Sequence, residues 1–375
     1  MIKNPNRRPG IAFYSVGDEN WPSTRFRVLQ FFPDLDLAGF DVRLFALPRV
    51  NPGRLRRFLG MLWQAFVRWR QLGQAKKYDL VVVQKGLTPW RCRGLEKRLW
   101  ESGRPYILDL DDAVYLINHV RLPGALRWLQ DDGQPEVLLR RADHVIAGNA
   151  VLGDFSASRA RAVSLIPTCI DTKRFVPPAR VPAASPVIGW SGSISTNFYF
   201  NALIPVLRRL AGLYTYRLVL ISDSLQDLRT SELGDVKWDF VRWNKETEVA
   251  DLQKIDIGLM PLTEDPWSNG KCGMKALLYM SVGAPPVCSP VGVNREIVRE
   301  GVNGFLAKDE EQWFTKLSCL IEDPALRQKM GRDARKTVEE RYSVNQHFPK
   351  LLEIFRGLMA SESAEMTYKE ACVPA

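Results

Sequence analysis

The sequence predicts an α/β protein built from two doubly wound, Rossmann-like parallel-sheet domains. Short apolar runs alternate with helical periodicity along both halves of the chain, and a proline-rich stretch separates the two series. The chain has 375 residues, which is more than one hydrophobic core usually supports. Strands that alternate with helices form parallel sheets with helices on both faces. We therefore expect two such domains facing a cleft.

Five strands are predicted in the first half of the chain, at 11–16, 41–47, 80–84, 106–110 and 144–149. The run Leu-Val-Val-Val-Gln at 80–84 is apolar on both faces, as in a strand buried inside a parallel sheet. Apolar residues at helical spacing predict one continuous helix from Phe26 to Leu35, ending near Gly39.

The alternation restarts after the prolines, with strands predicted at 187–191, 217–222, 238–243, 256–262 and 285–289. We predict an N-terminal domain over 1–175, a linker over 176–186 and a C-terminal domain over 187–343. A helix over 344–359 is expected to return to the first domain, followed by a disordered tail over 360–375. In open parallel sheets ligands bind at the carboxyl ends of the strands, so functional residues are expected just after them.

Composition narrows the class of protein. Six scattered cysteines show no CxxC pair, which favours reduced thiols over disulfides or a zinc site. The first residues lack the apolar stretch of a secretory signal, and no run approaches the roughly 20 apolar residues of a membrane span. We expect a cytoplasmic protein without a cofactor, with peripheral contact to the inner face of the cell membrane.

Positive charge is concentrated at the start of the chain. Residues 1–110 hold 20 Lys and Arg against 9 Asp and Glu, although the whole chain carries only +10. The segment 53–72 combines an apolar stripe with five arginines, a pattern that favours an interfacial helix on an anionic membrane over a helix packed in the core. Nucleic-acid binding is disfavoured, since no motif of that class accompanies the charge. The stripe comprises Leu55, Phe58, Leu59, Leu62, Phe66 and Trp69, and the arginines are Arg54, Arg56, Arg57, Arg68 and Arg70.

The segment 269–298 carries the strongest local signal. A turn with Gly270 and Gly273 opens onto a helix, and such a turn offers backbone N–H groups and a helix dipole to a diphosphate. Lys271 and Lys275 are one helical turn apart and would add charge there. The alternative is that both lysines are ordinary solvated residues.

This segment resembles the donor-binding motif of retaining GT-B glycosyltransferases of family 4, written E-x7-E followed by A-M-A-x-G-x-P-V. The stretch Leu-Tyr-Met-Ser-Val-Gly at 278–283 and Pro286-Val287 match its second part. The segments SPVGVNREIV, EGVNGFL, DIGLMPL, IPTCIDTKRF and AFYSV also resemble the family, so that the similarity spans nearly the whole chain. It implies a GT-B fold, a nucleoside diphosphate sugar as donor, and transfer with retention and without a metal.

Four positions depart from the family pattern. The two glutamates of the motif fall on Gly270 and Leu278, and the basic pair after the first strand of the second domain falls on Ser193 and Tyr199. We expect Lys271 and Lys275 to replace the missing cations, with Lys271 contributing more. The alternative is that Arg25 or Arg27 reaches the diphosphate from the N-terminal domain. The resemblance implies further donor contacts at Gly192, Ser193, Arg242, Trp243, Gly270, Gly273 and Glu296, with Arg242 or Trp243 beside the base; Trp243 could equally cover the sheet edge.

In the N-terminal half, the resemblance places Asp111 near the reaction centre of the donor sugar, where the family often has histidine. A metal-binding pair of Asp109 and Asp111 is disfavoured because Asp109 lies within its strand, and Asp112 could simply cap a helix. Arg25 and Arg27 are expected on the acceptor side, as is His119.

The prediction is therefore a hexosyltransferase-type enzyme that acts on a glycan or lipid-linked acceptor for cell-surface polysaccharide. The alternative is a non-catalytic GT-B protein that binds a sugar nucleotide or serves as a scaffold.

Overall fold

The computed structural model describes residues 7–49, 54–89, 92–116, 133–179 and 185–371. Side chains of 54–58, 93 and 362–371 are outside this description. The chain divides into two compact units. The first comprises Met1–Pro167 and His347–Ala375, and the second comprises Thr168–Gln346.

The first unit is built on a six-stranded parallel sheet with the order β2-β1-β3-β4-β5-β6. The chain moves from β1 to one side and then returns to the other, so the loops after β1 and β3 flank the switch point of this sheet. The strands are β1 (Gly10–Ser15), β2 (Asp41–Ala46), β3 (Leu80–Gln84), β4 (Tyr106–Leu110), β5 (His144–Ala147) and β6 (Val163–Leu165).

Helices cover this sheet. The predicted helix from Phe26 is broken in the structure into α1, a 3-10 turn (Leu29–Phe31) and α2. Pro33 explains the restart, since it lacks an N–H to continue the ladder and favours the first turn of a new helix. The helices are α1 (Pro22–Arg27), α2 (Phe32–Leu37), α3 (Arg54–Leu72), α4 (Arg93–Trp100), α5 (Gln134–Arg141) and α6 (Ala150–Ala157), with a 3-10 turn at Ala75–Lys77.

The second unit has a six-stranded parallel sheet with the order β12-β11-β10-β7-β8-β9. Its switch point lies between β7 and β10, and the loops that follow these two strands flank it. The strands are β7 (Val187–Ser191), β8 (Arg217–Ser222), β9 (Trp238–Arg242), β10 (Ile257–Met260), β11 (Pro286–Cys288) and β12 (Phe305–Leu306).

Short helices follow the strands of the second unit, and three longer ones close the chain. They are α7 (Asn197–Phe200), α8 (Ile204–Ala211), α9 (Glu248–Leu252), α10 (Pro266–Asn269), α11 (Met274–Ser281), α12 (Asn294–Ile297), α13 (Glu310–Glu322), α14 (Pro324–Arg341) and α15 (Val344–Ala371), with 3-10 turns at Asn201–Leu203 and Thr230–Leu233.

The predicted fold class is confirmed, since both halves form parallel sheets with helices. The structure adds β6, a three-residue strand that is too short to stand out in the sequence. No helix among the described residues is long and apolar enough to cross a membrane.

The division between the units differs from the predicted linker. It falls at 167/168, and residues 168–179 pack in the second unit. Arg335 of α14 explains this, because its guanidinium donates to the backbone oxygens of Thr172, Phe175 and Ser281. The last helix is longer than expected. It runs Val344–Ala371, so residues 360–371 are helical where we predicted a disordered tail.

Candidate functional site

The loop at 191–196, which follows β7 at the switch point of the second sheet, is held by a dense set of hydrogen bonds. The Tyr279 hydroxyl accepts from the backbone N–H of Ser191, at 2.6 Å. Thr196 folds the loop back on itself, because its Oγ1 accepts from Ser193 N at 3.1 Å and also bonds to Ser193 O at 3.1 Å. Asp223 accepts from Ile194 N at 2.8 Å. The backbone of this loop is therefore fixed before any ligand binds.

Lys275 of α11 reaches this loop from the neighbouring helix. Its Nζ donates to Oγ1 of Thr196 at 3.1 Å and lies 4.7 Å from the ring centroid of Trp190. Glycine at position 192 lets the loop backbone pass close to the Trp190 ring, since a Cβ there would come within 2.1 Å of that ring. Burial and, to a lesser extent, the charge of Lys271 together lower the pKa of the Lys275 ammonium to about 7.

The predicted glycine turn begins α11. Gly273 caps the helix in the left-handed region, at φ +68°, and a Cβ there would come within 2.2 Å of Ile297. Both constraints require glycine. The first turn of α11 contains no acidic residue, so no side chain there offsets the positive end of the helix dipole. Lys271 and Lys275 add further positive charge at this end of the helix.

Lys271 lies against aromatic rings. Its Nζ is 5.2 Å from the ring centroid of Trp267 and 5.9 Å from that of Tyr199. Tyr199, which stands where the family has a cation, is buried and its hydroxyl is 3.0 Å from Oγ of Ser268. The structure thus brings Lys271, Lys275, Ser193 and Gly192 to one edge of the second sheet. At the position where the resembled family has a cation, the chain has the buried side chain of Tyr199.

The other predicted donor contacts are spread along the same unit. Arg242 is exposed at the end of β9, whereas the Trp243 indole N–H donates to Glu248 at 3.1 Å. Gly270 ends α10 and is buried, and Glu296 is exposed on α12. The Trp243 indole is therefore engaged with Glu248. Of the two residues predicted to contact the nucleobase of the donor, Arg242 is the more exposed.

The carboxyl edge of the first sheet holds buried charges. Arg27 pairs with Asp109 through two contacts, Nε to Oδ2 at 3.1 Å and Nη2 to Oδ1 at 2.5 Å, and donates to Ile166 O. Both side chains are almost fully buried. The Arg27 guanidinium is thus engaged with groups of the first unit. Its place on the acceptor side stays a prediction. The Arg27–Asp109 ion pair accounts for a carboxylate that is buried inside a strand.

Asp111 and Asp112 share one partner that the sequence did not single out. The Lys85 ammonium lies 3.3 Å from Oδ1 of Asp111 and 2.5 Å from Oδ2 of Asp112. Asp112 is therefore engaged with a lysine, and no helix starts within residues 113–116, which directly follow it. Arg25, expected on the acceptor side, is buried with its guanidinium 4.9 Å from the Phe26 ring centroid. His119 lies outside the described residues.

Helix α3 exposes most of its large apolar side chains, while two polar side chains are buried together with Met61 and Leu72. The inward face carries Gln64 and Arg68, and the fully buried Arg68 donates to the backbone oxygens of Ser15, Phe45 and Leu87. Arg68 is thus an internal anchor, which corrects its assignment to the basic surface. The outward face exposes five large apolar side chains, each about half accessible: Leu59, Leu62, Trp63, Phe66 and Trp69. The side chains of Leu55, Phe58, Arg54, Arg56 and Arg57 are outside the description.

Comparison with known proteins agrees with this architecture. Residues 185–323 match the family described as "Glycosyl transferases group 1". A segment of 95 residues is 30% identical to the putative glycosyltransferase EpsD of Bacillus subtilis (strain 168). That match spans a quarter of this chain and a quarter of the relative.

Solved structures resemble the chain over most of its length. Sucrose-phosphate synthase from Thermosynechococcus elongatus is 18% identical, with a TM-score of 0.73 over 95% of this chain and 100% of that one. Anabaena HepE in complex with UDP is also 18% identical, with a TM-score of 0.62 over 93% and 100%. A glycosyltransferase from Rickettsia africae is 12% identical, with a TM-score of 0.63 over 94% of this chain and 99% of that one. The fold of the chain is therefore GT-B.

Proposed function

We propose that the protein is a retaining, metal-independent glycosyltransferase of family 4 that transfers a hexose from a nucleoside diphosphate sugar. The observation that carries this proposal is the placement of Lys275 beside the switch-point loop of the second sheet. Further support comes from the family match over 185–323 and from HepE, which was crystallised with UDP and with UDP-glucose.

The surroundings of Lys275 are those of an anion site. Among the described residues, no carboxylate pairs with its ammonium, whose polar contact is the Thr196 hydroxyl. A second lysine, Lys271, begins the same turn, and the helix dipole adds positive potential. Two cations at a helix N-terminus are unfavourable until an anion joins them. A diphosphate supplies that anion and bonds to charged donors.

The reaction needs little from titratable side chains. The bond between the sugar's anomeric carbon and the diphosphate oxygen breaks, and the acceptor oxygen bonds to the same carbon on the same face. The acceptor's proton passes to the departing phosphate oxygen. Lys275 and Lys271 stabilise the charge that develops on this oxygen.

Release of nucleoside diphosphate tests this function. UDP-, GDP- and ADP-sugars are first screened by thermal shift, because a ligand that binds the folded state raises the melting temperature. The stabilising donor is then incubated with lipid extract as acceptor, and NMR follows the anomeric configuration of the product. Transfer with retention supports the proposal. Binding without release of nucleoside diphosphate would favour the non-catalytic alternative, and inversion would contradict the mechanism.

We further propose that the acceptor is a lipid-linked glycan for cell-surface polysaccharide, reached at the cytoplasmic face of the membrane through α3. The exposed apolar face of this helix supports the proposal. Its polar residues Gln64 and Arg68 are turned inward, while leucine, phenylalanine and tryptophan side chains face out. Exposure of such an apolar face to water is unfavourable, whereas its burial at the boundary between lipid headgroups and acyl chains is favourable.

Charge favours an anionic bilayer as the occupant of this face. Exposed Arg70 has its guanidinium 6.0 Å from the Phe66 ring centroid, and Arg98 of α4 lies 4.8 Å from the Trp69 ring centroid. These cations lie in the most basic third of the chain, where 20 Lys and Arg outweigh 9 Asp and Glu. Basic groups near an anionic membrane surface each contribute about 1 kcal/mol to binding.

Vesicle flotation tests this surface. The wild-type protein should float with vesicles of phosphatidylglycerol and phosphatidylcholine and less with phosphatidylcholine alone. Trp63→Ser with Phe66→Ser should weaken binding at least tenfold, because each loses roughly 1.5–3 kcal/mol of apolar burial. Leu37→Ser, on an exposed apolar residue elsewhere in the first unit, is the matched control. If the double variant floats normally, or instead converts a dimer to a monomer, the membrane assignment fails.

A further inference from the structure

Trp21 lies in the loop that follows β1, on one flank of the switch point of the first sheet. It is 47% exposed, although tryptophan is on average one of the more buried residue types. Its backbone N–H donates to Asp18 O at 3.1 Å, which closes a turn over residues 18–21. Ligands of open parallel sheets bind at the carboxyl ends of the strands beside a switch point. A large aromatic surface is therefore exposed at a place in this sheet where ligands bind.

The Trp21 ring is held in one position. A Cβ added to Gly17 would come within 2.3 Å of Cγ of Trp21, so the ring packs directly on the Gly17 backbone. That backbone is fixed in turn, because the Gly17 N–H donates to Oγ of Ser15 at 3.2 Å and the Gly17 carbonyl accepts from Oγ1 of Thr24 at 3.2 Å. A ring that is already fixed loses little conformational entropy when a ligand packs on it.

An ion pair lies at the other end of the same turn. The Asp18 carboxylate accepts from Arg49 through two contacts, Oδ2 from Nε at 2.6 Å and Oδ1 from Nη2 at 3.2 Å. Burial raises the pKa of the Asp18 carboxyl, but the bonds from Arg49 and from the Asn20 N–H lower it overall, so Asp18 is ionised at neutral pH. The side chains of Asp18 and Arg49 are 26% and 63% exposed. The turn thus presents charged hydrogen-bonding groups to solvent beside the aromatic ring.

We propose that Trp21 is a stacking platform for one sugar ring of the acceptor glycan, whose hydroxyl groups bond to the Asp18–Arg49 pair. This subsite is formed by residues of the first unit alone. The inference rests on the proposed function and names the part of the acceptor that the protein recognises.

The chemistry of a sugar fits this combination of groups. A pyranose ring presents C–H groups on one face and hydroxyl groups around its rim, so it is bound best where an aromatic surface and polar groups lie side by side. A lipid chain would use the ring of Trp21 but not the ion pair. The Asp18–Arg49 pair therefore favours a glycan over a membrane as the ligand of this turn.

The test compares Trp21→Ala, Trp21→Phe and Asp18→Asn, with Leu37→Ala on an 85% exposed apolar residue of the same unit as the control. Trp21→Ala should raise the KM for the acceptor in lipid extract at least about tenfold and leave kcat and the KM for the donor within about twofold, because the ring binds the glycan and takes no part in the chemistry. Trp21→Phe should recover most of the affinity, since it keeps an aromatic face. Asp18→Asn should raise the acceptor KM about threefold.

A second measurement separates the sugar from its lipid. The glycan is released from the extract by mild acid and titrated into the protein by calorimetry, and its affinity should be at least about tenfold lower for Trp21→Ala than for the wild type. Trp21→Ala should still float with anionic vesicles as the wild type does. Loss of flotation with unchanged glycan affinity would assign the ring to a membrane surface and overturn the inference.

The same titration distinguishes failure of this inference from failure of the proposed function. If the wild type transfers sugar and Trp21→Ala binds the glycan equally well, the inference is overturned and the proposed function stands. If the glycan binds the wild type more tightly than Trp21→Ala but no sugar is transferred, the subsite stands and the proposed function fails. A wild type that neither binds the glycan nor transfers sugar contradicts both.

Discussion

The Nζ atom of Lys275 donates to Oγ1 of Thr196 at 3.1 Å, and the same hydroxyl accepts from Ser193 N. Through this one oxygen, the N-terminus of α11 is joined to the loop after β7. The loop after β7 and the start of α11, which lie on either side of the switch point, are thus held together before a ligand binds. Such preorganisation lets charged donors act on a developing charge without moving first.

Replacement of Lys275 by methionine should lower turnover about ten- to a hundredfold, because a charge-assisted hydrogen bond contributes roughly 1.5–3 kcal/mol. Lys271→Met should cost less, about three- to tenfold. This reverses the order expected from the sequence, since Lys275 contacts the loop while Lys271 rests on Trp267 and Tyr199. Steady-state kinetics check it, with Lys329→Met on exposed α14 as control. Wild-type turnover in both variants would make the lysines surface residues.

Donor binding should depend on pH. The Lys275 pKa is lowered to about 7 in the free protein, and a bound diphosphate raises it. Affinity should therefore be full below pH 7 and fall as pH rises towards 9, with close to one proton taken up per donor at pH 8. Calorimetry in buffers of different ionisation enthalpy measures this uptake. Equal heats in all buffers would show that Lys275 does not change its protonation.

The ligand-free Lys275→Met variant should be more stable than the wild type. A lysine whose pKa is lower in the folded than in the unfolded chain destabilises the fold wherever the unfolded chain holds the extra proton. The gain should be largest below pH 7 and disappear as pH rises from 7 to about 10. Urea unfolding at pH 6 and pH 10 measures it. A variant that is less stable at pH 6 would show that Lys275 serves the fold.

Transfer should continue in excess EDTA. Asp109, which a metal would need together with Asp111, is already paired with Arg27. The two lysines near α11 supply positive charge to the diphosphate. Rates are measured with EDTA and again after magnesium or manganese is added. A loss of activity that either ion restores would contradict the proposal.

The sequence predicted the sheets because apolar runs such as 80–84 report burial on both faces. It predicted the turn at Gly273 because that position requires a glycine. It could not distinguish Arg68 from the surface arginines, since its three hydrogen bonds to backbone oxygens depend on the fold and leave no mark in the local sequence. The Arg27–Asp109 pair was not predicted either, because its two residues are 82 positions apart in the chain.

Lys85 was missed for a related reason. Its distinguishing features are a left-handed φ and two carboxylates at the end of the neighbouring strand, and neither is written in the local sequence. The acidic run at 109–112 was visible, but the sequence did not indicate which charge balances it. Long-range pairing, which depends on sheet order, therefore limits prediction of this site most.

Titration of the purified protein with UDP, GDP and ADP tests the central claim most directly. The proposed site predicts that at least one of them binds, and that Lys275→Met weakens this binding at least tenfold while Lys329→Met leaves it unchanged. The corresponding nucleoside should bind much more weakly, because it lacks the diphosphate. Absence of binding by all three, or equal affinity in Lys275→Met and the wild type, would contradict a diphosphate site at α11.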